Sequence, residues 1–243
     1  MAVSQKIRVY EHGIADPINL KTFFCGIKLL SEGKNVDHGE KVPLLKTSHI
    51  KRDDFSTPAK IVNVQNRHDY PFSTSLHSTL QQFTANNCLL TKIDQRLLRL
   101  TNLRFLNLAD NRLSNDRENL NFSSLINLVN LDLSSNSLDD LDGGNFYANL
   151  PVNLKYLNLS DNLLTKLPDA VFKRLKNLHT LNLANNRMGR LSWKIYMLRL
   201  RLKNLNLSGN RFKFLPGTMA DLKLDHFDAS NNPWQVEFKP TCE

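Results

Sequence analysis

From residue 80 onward, apolar and polar positions follow one recurring order: leucine, two variable residues, leucine, one variable, leucine, two variable, asparagine, one variable, leucine. The order is complete at Leu103, Leu106, Leu108, Asn111 and Leu113. It returns at Leu128, Leu131, Leu133, Asn136 and Leu138, and at Leu154, Leu157, Leu159, Asn162 and Leu164. Two copies change the last leucine: Leu178, Leu181, Leu183, Asn186, Met188, then Leu202, Leu205, Leu207, Asn210, Phe212. Looser copies stand at both ends, as Leu80, Phe83, Ala85, Cys88, Leu90 and as Leu224, Phe227, Ala229, Asn232, Trp234. Successive starts lie 23, 25, 26, 24, 24 and 22 residues apart. Within each copy the alternation of apolar and polar residues is the period of a short strand, so Leu106 and Leu108 share one face and Phe105 and Asn107 the other. A single copy cannot bury its own leucines. Stacking copy on copy does, and lays the strands side by side in parallel.

This spacing lies within the roughly 20–29 residues of leucine-rich repeats. The expected fold is α/β: a leucine-rich-repeat solenoid of about seven repeats over residues 80–243, with a curved parallel sheet on its concave face. The ninth-position residues Asn111, Asn136, Asn162, Asn186, Asn210 and Asn232 then point inward. Their amides are suited to bond turn backbone that is otherwise buried without partners. Cys88 takes the same slot in the first copy and reads as structural. Return segments are expected on the convex side, fullest where Leu167-Pro168 precedes Phe172, Leu175 and Leu178, and shorter where Leu215-Pro216 precedes Met219 and Leu222. The segments 114–127 and 139–153 are less regular, and Gly143-Gly144 suits a turn.

Residues 1–79 lack the repeat. Lys6–Tyr10 reads as a strand, and Leu20, Phe23, Phe24, Ile27 and Leu30 fall on one helical face. Asp16-Pro17 suits the start of that helix and Gly33 its end. A second strand is expected within Thr57–Val64, and Asp69-Tyr70-Pro71 turns the chain towards the repeats. This small α+β piece is too short for a core of its own. It is a capping segment for the solenoid or the remnant of a larger domain.

Gly33-Lys34-Asn35-Val36-Asp37, Lys46-Thr47-Ser48, Asp69-Tyr70-Pro71, Cys88 in the first repeat and Asp94 after it stand in an order that resembles the leucine-rich repeat protein 1 family. That family supplies substrate receptors to a cullin–elongin ubiquitin ligase. The resemblance implies a nuclear protein that recognises the replicative helicase on chromatin. It also implies a pleckstrin-homology-like domain before the repeats, of which Lys6–Tyr10 would be the last strand and Leu20–Leu30 the closing helix. In the family an elongin- and cullin-binding region follows the repeats. Here the sequence ends at Glu243, so those two partners are implied only for a longer form.

Charge adds one feature. The chain carries 32 Lys/Arg against 23 Asp/Glu, a net charge of +9. From Lys166 to Lys213 there are twelve Lys/Arg and one acid, Asp169, whereas Asp110 to Asp161 holds eight acids and three bases. A solvated convex face accounts for this bias, and so does a docking surface for an acidic protein or a nucleic acid. The three cysteines, Cys25, Cys88 and Cys242, form no disulfide framework. Asn232-Pro233-Trp234 resembles the start of the cysteine-rich cap of extracellular repeats, but Val236 and Phe238 stand where that cap has cysteines. The polar opening Met1–His12 carries no signal segment, and no apolar run is long enough to span a membrane. These points read as intracellular; the nucleus is what the resemblance implies, with the cytoplasm as the alternative. No phosphate-binding loop, nucleophile elbow or zinc-protease pattern occurs, and the seven histidines make no metal spacing with the cysteines. Neither an enzyme, a cofactor nor a metal site is expected. No nucleic-acid-binding motif accompanies the basic arc.

The expected binding surface is the outward side of the strands. One column reads Gln82, Phe105, Asn130, Tyr156, Thr180, Asn204, His226, and the next Thr84, Asn107, Asp132, Asn158, Asn182, Asn206, Asp228. Phe105 and Tyr156 are aromatics without a core role there, the type enriched at binding hot spots. Arg104, Lys155, His179 and Lys203 lie beside them at the strand starts. The leading expectation is the substrate-binding part of a ligase receptor that takes a folded protein partner. A scaffold or regulatory subunit in phosphatase or small-GTPase signalling is the alternative. A secreted ectodomain is disfavoured by the missing cap cysteines.

Overall fold

A computed structural model describes the backbone of residues 7–11, 14–18 and 61–63, residue 66, and residues 78–114, 120–139 and 149–235. The helix expected at Leu20–Leu30, the Gly143-Gly144 turn, Cys25, Cys242, Val236 and Phe238 lie outside these residues.

The chain forms a leucine-rich-repeat solenoid. Among the described residues its parallel sheet has eight strands in sequence order: β3 (Ile61–Asn63), β4 (Gln82–Thr84), β5 (Phe105–Asn107), β6 (Asn130–Asp132), β7 (Tyr156–Asn158), β8 (Thr180–Asn182), β9 (Asn204–Asn206) and β10 (His226–Asp228). Every pair keeps one register, as in Phe105↔Asn130, Leu106↔Leu131 and Asn107↔Asp132. The alternation explains this: any slip by one residue would turn every leucine of a strand outward. The leucines form one continuous core along the stack, with Phe212 in a last-leucine slot and Phe122 and Phe172 joining from the return side, all three fully buried.

Each strand ends in a sharp turn whose eighth-position residue is left-handed. The φ values are 54° at Asn87, 54° at Asp110, 51° at Ser135, 55° at Asp161, 53° at Asn185, 64° at Gly209 and 54° at Asn231. Asn, Asp and Gly are the residues that visit this region at least cost. At Gly209 a Cβ would lie 2.1 Å from Asn185 Oδ1, so a side chain there needs the Asn185 amide to move. Asn66 repeats the same φ, 59°, three residues after β3. Its Oδ1 accepts a 2.7 Å hydrogen bond from Asn87 Nδ2. The sheet and its turn ladder therefore extend one strand upstream of the first leucine copy, where Val62 and Val64 stand in the sequence in place of leucine.

The ninth-position asparagines tie unit to unit. Asn162 Nδ2 donates to the Leu133 carbonyl one unit back (3.0 Å) and to Leu159 (3.3 Å) and Ser160 (3.0 Å) in its own turn. Its Oδ1 accepts from Leu138 N at 3.0 Å. Asn111, Asn136, Asn186, Asn210 and Asn232 repeat the arrangement. Cys88, buried in the first slot, has no amide, and the backbone adapts. The N–H groups of both Cys88 (3.0 Å) and Leu90 (2.9 Å) converge on Asn111 Oδ1. That convergence places Leu89 between them at φ 56°, a conformation rare for leucine.

The return segments are short because the units are. Leu167-Pro168 leads into an α-helix, Asp169–Arg174, and Leu215-Pro216 into a 3₁₀ helix, Gly217–Asp221. Between them a 3₁₀ helix, Trp193–Leu198, starts at Ser192, whose side chain accepts from Lys194 N. Near the end of the stack Trp234 lies parallel to Phe212, centroids 6.4 Å apart, and its Nε1 donates to the Ala229 carbonyl.

One N-terminal expectation is corrected. Asp16-Pro17 does not start a helix but lies within strand β2 (Ile14–Ile18), paired antiparallel with β1 (Ile7–Glu11). A residue before proline is driven to extended backbone in either setting, so the dipeptide alone does not distinguish them. In a two-stranded sheet every strand is an edge, and an edge tolerates proline's missing N–H.

Candidate functional site

The strand register assembles the column Gln82, Phe105, Asn130, Tyr156, Thr180, Asn204 and His226 across the sheet. Phe105 is 43% exposed and Tyr156 44%, while the leucines that follow them in β5 and β7 are buried. These two aromatics are two strands apart, roughly 10 Å at the usual strand spacing. Asn130, half-buried, lies between them. On one side of Tyr156 the column becomes polar and self-bonded, with Asn204 Nδ2 donating to Thr180 Oγ1 at 3.0 Å. His226, exposed, ends it.

The basic residues at the strand starts differ in setting. Arg104 and Lys155 are exposed, whereas His179 and Lys203 are half-buried. His179 Nδ1 lies 2.8 Å from the Asn177 carbonyl, so this nitrogen carries the proton and donates, leaving Nε2 as the free ring nitrogen of the neutral form. Lys203 reaches the next unit, with Nζ 3.5 Å from Asp225 and donating to the Lys223 carbonyl at 3.3 Å. Its charge is therefore partly matched within the stack.

The second column does structural work that its polarity alone did not reveal. Asn107, Asp132, Asn158, Asn182, Asn206 and Asp228 each accept, through Oδ1, the N–H two residues ahead. These Asx turns close each strand. A small residue two places after each Asx was the signal: Ala109, Ser134, Ser160, Ala184, Ser208 and Ser230. A further ladder runs along the side of the strand starts. Asn102, Asn127, Asn153 and Asn177 each donate through Nδ2 to a carbonyl one unit back, those of Ser78, Thr101, Ile126 and Val152. Its signal was the Asn preceding four of the first-position leucines. Both ladders serve the scaffold, whereas Phe105, Tyr156, Arg104 and Lys155 are exposed on or beside the outward column.

Among the described residues no group of three or more His, Cys, Asp or Glu side chains is placed to hold a metal. No helix among them is long and apolar enough to cross a membrane.

Comparison with known proteins gives the following. A leucine rich repeat family model matches residues 152–195, and a second matches residues 201–222. Leucine-rich repeat protein 1 of Mus musculus is 29% identical over 125 residues, covering 51% of this chain and 28% of its own length. Lumican of Oryctolagus cuniculus is 31% identical over 137 residues, covering 56% of this chain and 68% of that protein. Among solved structures, a leucine-rich-repeat protein of Leptospira interrogans superposes with a TM-score of 0.55 at 30% identity, over 64% of this chain and 38% of that one. The chain thus spans little more than a quarter of the mouse relative. Two differently named relatives match this chain to similar extents.

Proposed function

We infer that this chain, which belongs to the leucine-rich-repeat family, takes a folded protein partner on its concave face around Phe105 and Tyr156. A leucine-rich-repeat array is a protein-interaction module, and the exposure of two aromatics on an otherwise polar sheet is the observation that carries this reading. Their rings supply buried contact area on binding, while Arg104, Lys155 and the neighbouring cations act mainly on the rate of encounter. The order of motifs in residues 33–94 supports a finer assignment. It is the substrate-binding part of a nuclear cullin-type ubiquitin ligase receptor, with the replicative helicase as its partner. In this reading the chain binds and does not catalyse.

Surface-based kinetics with reconstituted helicase tests both levels. Tyr156→Ala is expected to raise the dissociation rate, at a loss of roughly 1–3 kcal/mol. Lys203→Glu is expected to slow association, most at low salt. Wild-type rates for both variants would move the contact off the concave face. No binding by the wild-type chain would remove the helicase assignment while leaving the module intact.

A further inference from the structure

A second exposed aromatic group lies on the return side, within the basic half of the arc. Trp193, 47% exposed, is the first residue of its 3₁₀ helix. It stacks on Tyr196 with centroids 5.6 Å apart and planes 6° from parallel. Each ring carries a cation: Lys194 Nζ lies 5.6 Å from the Trp193 ring centre and the Arg199 guanidinium 5.6 Å from that of Tyr196. Leu200, 79% exposed, continues the surface between Arg199 and Arg201.

Several features set this patch apart from a solvated face. In the neighbouring units the helix starts with Asp169 on one side and Gly217 on the other, so Trp193 has a flank without a side chain. The start of the 3₁₀ helix is also tied to both neighbouring units. Lys194 is paired to Asp169 at 2.6 Å, Ser192 Oγ donates to the same carboxylate at 2.5 Å, and Thr218 Oγ1 donates to the Trp193 carbonyl at 2.8 Å. Asp169 is the one acid among twelve Lys/Arg from Lys166 to Lys213, and these contacts already engage it. Arg199 and Arg201 are exposed and have no other acid in that stretch of sequence.

We propose that Trp193, Tyr196, Arg199, Leu200 and Arg201 form a second docking surface, and that its occupant is an acidic peptide segment carrying an apolar side chain. Carboxylates meet Arg199 and Arg201 and the electropositive ring edges. The apolar side chain lies against Trp193 and Leu200. A single-stranded nucleic acid fits less well, because base stacking uses free faces on successive rings and these two rings are stacked on each other. The surface is separate from the concave face and does not depend on what binds there.

The test uses the full chain with Trp234→Phe, which leaves Trp193 as its only tryptophan. The probes are a fluorescein-labelled peptide of glutamates around a Leu-Phe pair, its glutamine counterpart, and an oligothymidine of matching length. The acidic peptide is expected to bind and to change Trp193 emission, and the glutamine peptide to bind at least tenfold more weakly. Arg199→Glu with Arg201→Glu, both at exposed positions, is expected to weaken the acidic peptide at least tenfold while leaving the thermal midpoint unchanged. Tyr156→Ala is expected to leave it unaffected, which separates this surface from the concave one. Unchanged emission, equal affinity of the charge-reversed chain, or tighter binding of the oligothymidine would each overturn the proposal.

Discussion

At the scale of single residues, this fold depends on polar side chains that neighbouring backbones need. Asn162 serves backbone groups of two units, and removing it leaves buried N–H and C=O groups unpaired, at roughly 1–3 kcal/mol for each. Asn162→Ala is therefore expected to lower stability by at least about 2 kcal/mol in chemical denaturation. A loss of only a few tenths would mean that water replaces the amide. Leu89 gives the opposite case. It holds a left-handed conformation that costs a leucine about 1–2 kcal/mol, and its side chain is 40% exposed. Leu89→Gly relieves that strain but loses chain entropy and some apolar contact. The expected result is unchanged stability or a gain of up to about 1 kcal/mol; a clear loss would show that the Leu89 side chain matters more than its backbone.

Between elements, the helix Asp169–Arg174 is tied to the following 3₁₀ helix through one carboxylate. The hydrogen bond from Lys194, then that from Ser192, holds the Asp169 carboxyl below its ordinary value, against a smaller opposing effect of desolvation. A folded-state value lower than the unfolded one contributes stability that is complete above the unfolded value. It is lost as pH falls through the folded one. Asp169→Asn should therefore be less stable than wild type near neutral pH, and the two should converge as the carboxyl protonates. Thermal midpoints measured from about pH 7 to pH 2 follow this directly. A gap that stays constant across that range would assign the effect to packing. The carboxylate is about half exposed, so the change is expected to be modest.

For the whole molecule, stability is that of a stack in which each unit contacts its neighbours. Leu157, 1% exposed in β7, packs in the middle of the continuous core. Leu157→Ala is expected to cost about 2–5 kcal/mol, read from the denaturation midpoint. Hydrogen exchange should show the protection lost in β6 and β8 as well as in β7, since these strands pair with it directly. Loss confined to β7 would contradict the coupled stack.

Much of this molecule was legible without coordinates, because a repeat states its rule many times. The leucine positions, their inward direction, the strand columns and the ninth-position asparagines all follow from one period and one alternation, which are local properties of the chain. Phe105 and Tyr156 could be placed on the outward side for the same reason. What needed the tertiary structure were relations across units or contacts between side chains distant in the pattern. Strand β3 lacks leucines and joins the sheet only because β4 offers it an edge. The Asx column and the Asn102–Asn177 ladder are polar in sequence, and only the turns they close and the carbonyls they reach distinguish them from binding residues. Asp16-Pro17 is extended in either a helix start or a strand, and its pairing with β1 decides. Lys203 reads as a free cation until Asp225 of the next unit is set beside it. The stacked Trp193 and Tyr196, three residues apart, became one surface only when a 3₁₀ turn brought the rings together and Gly217 left their flank open.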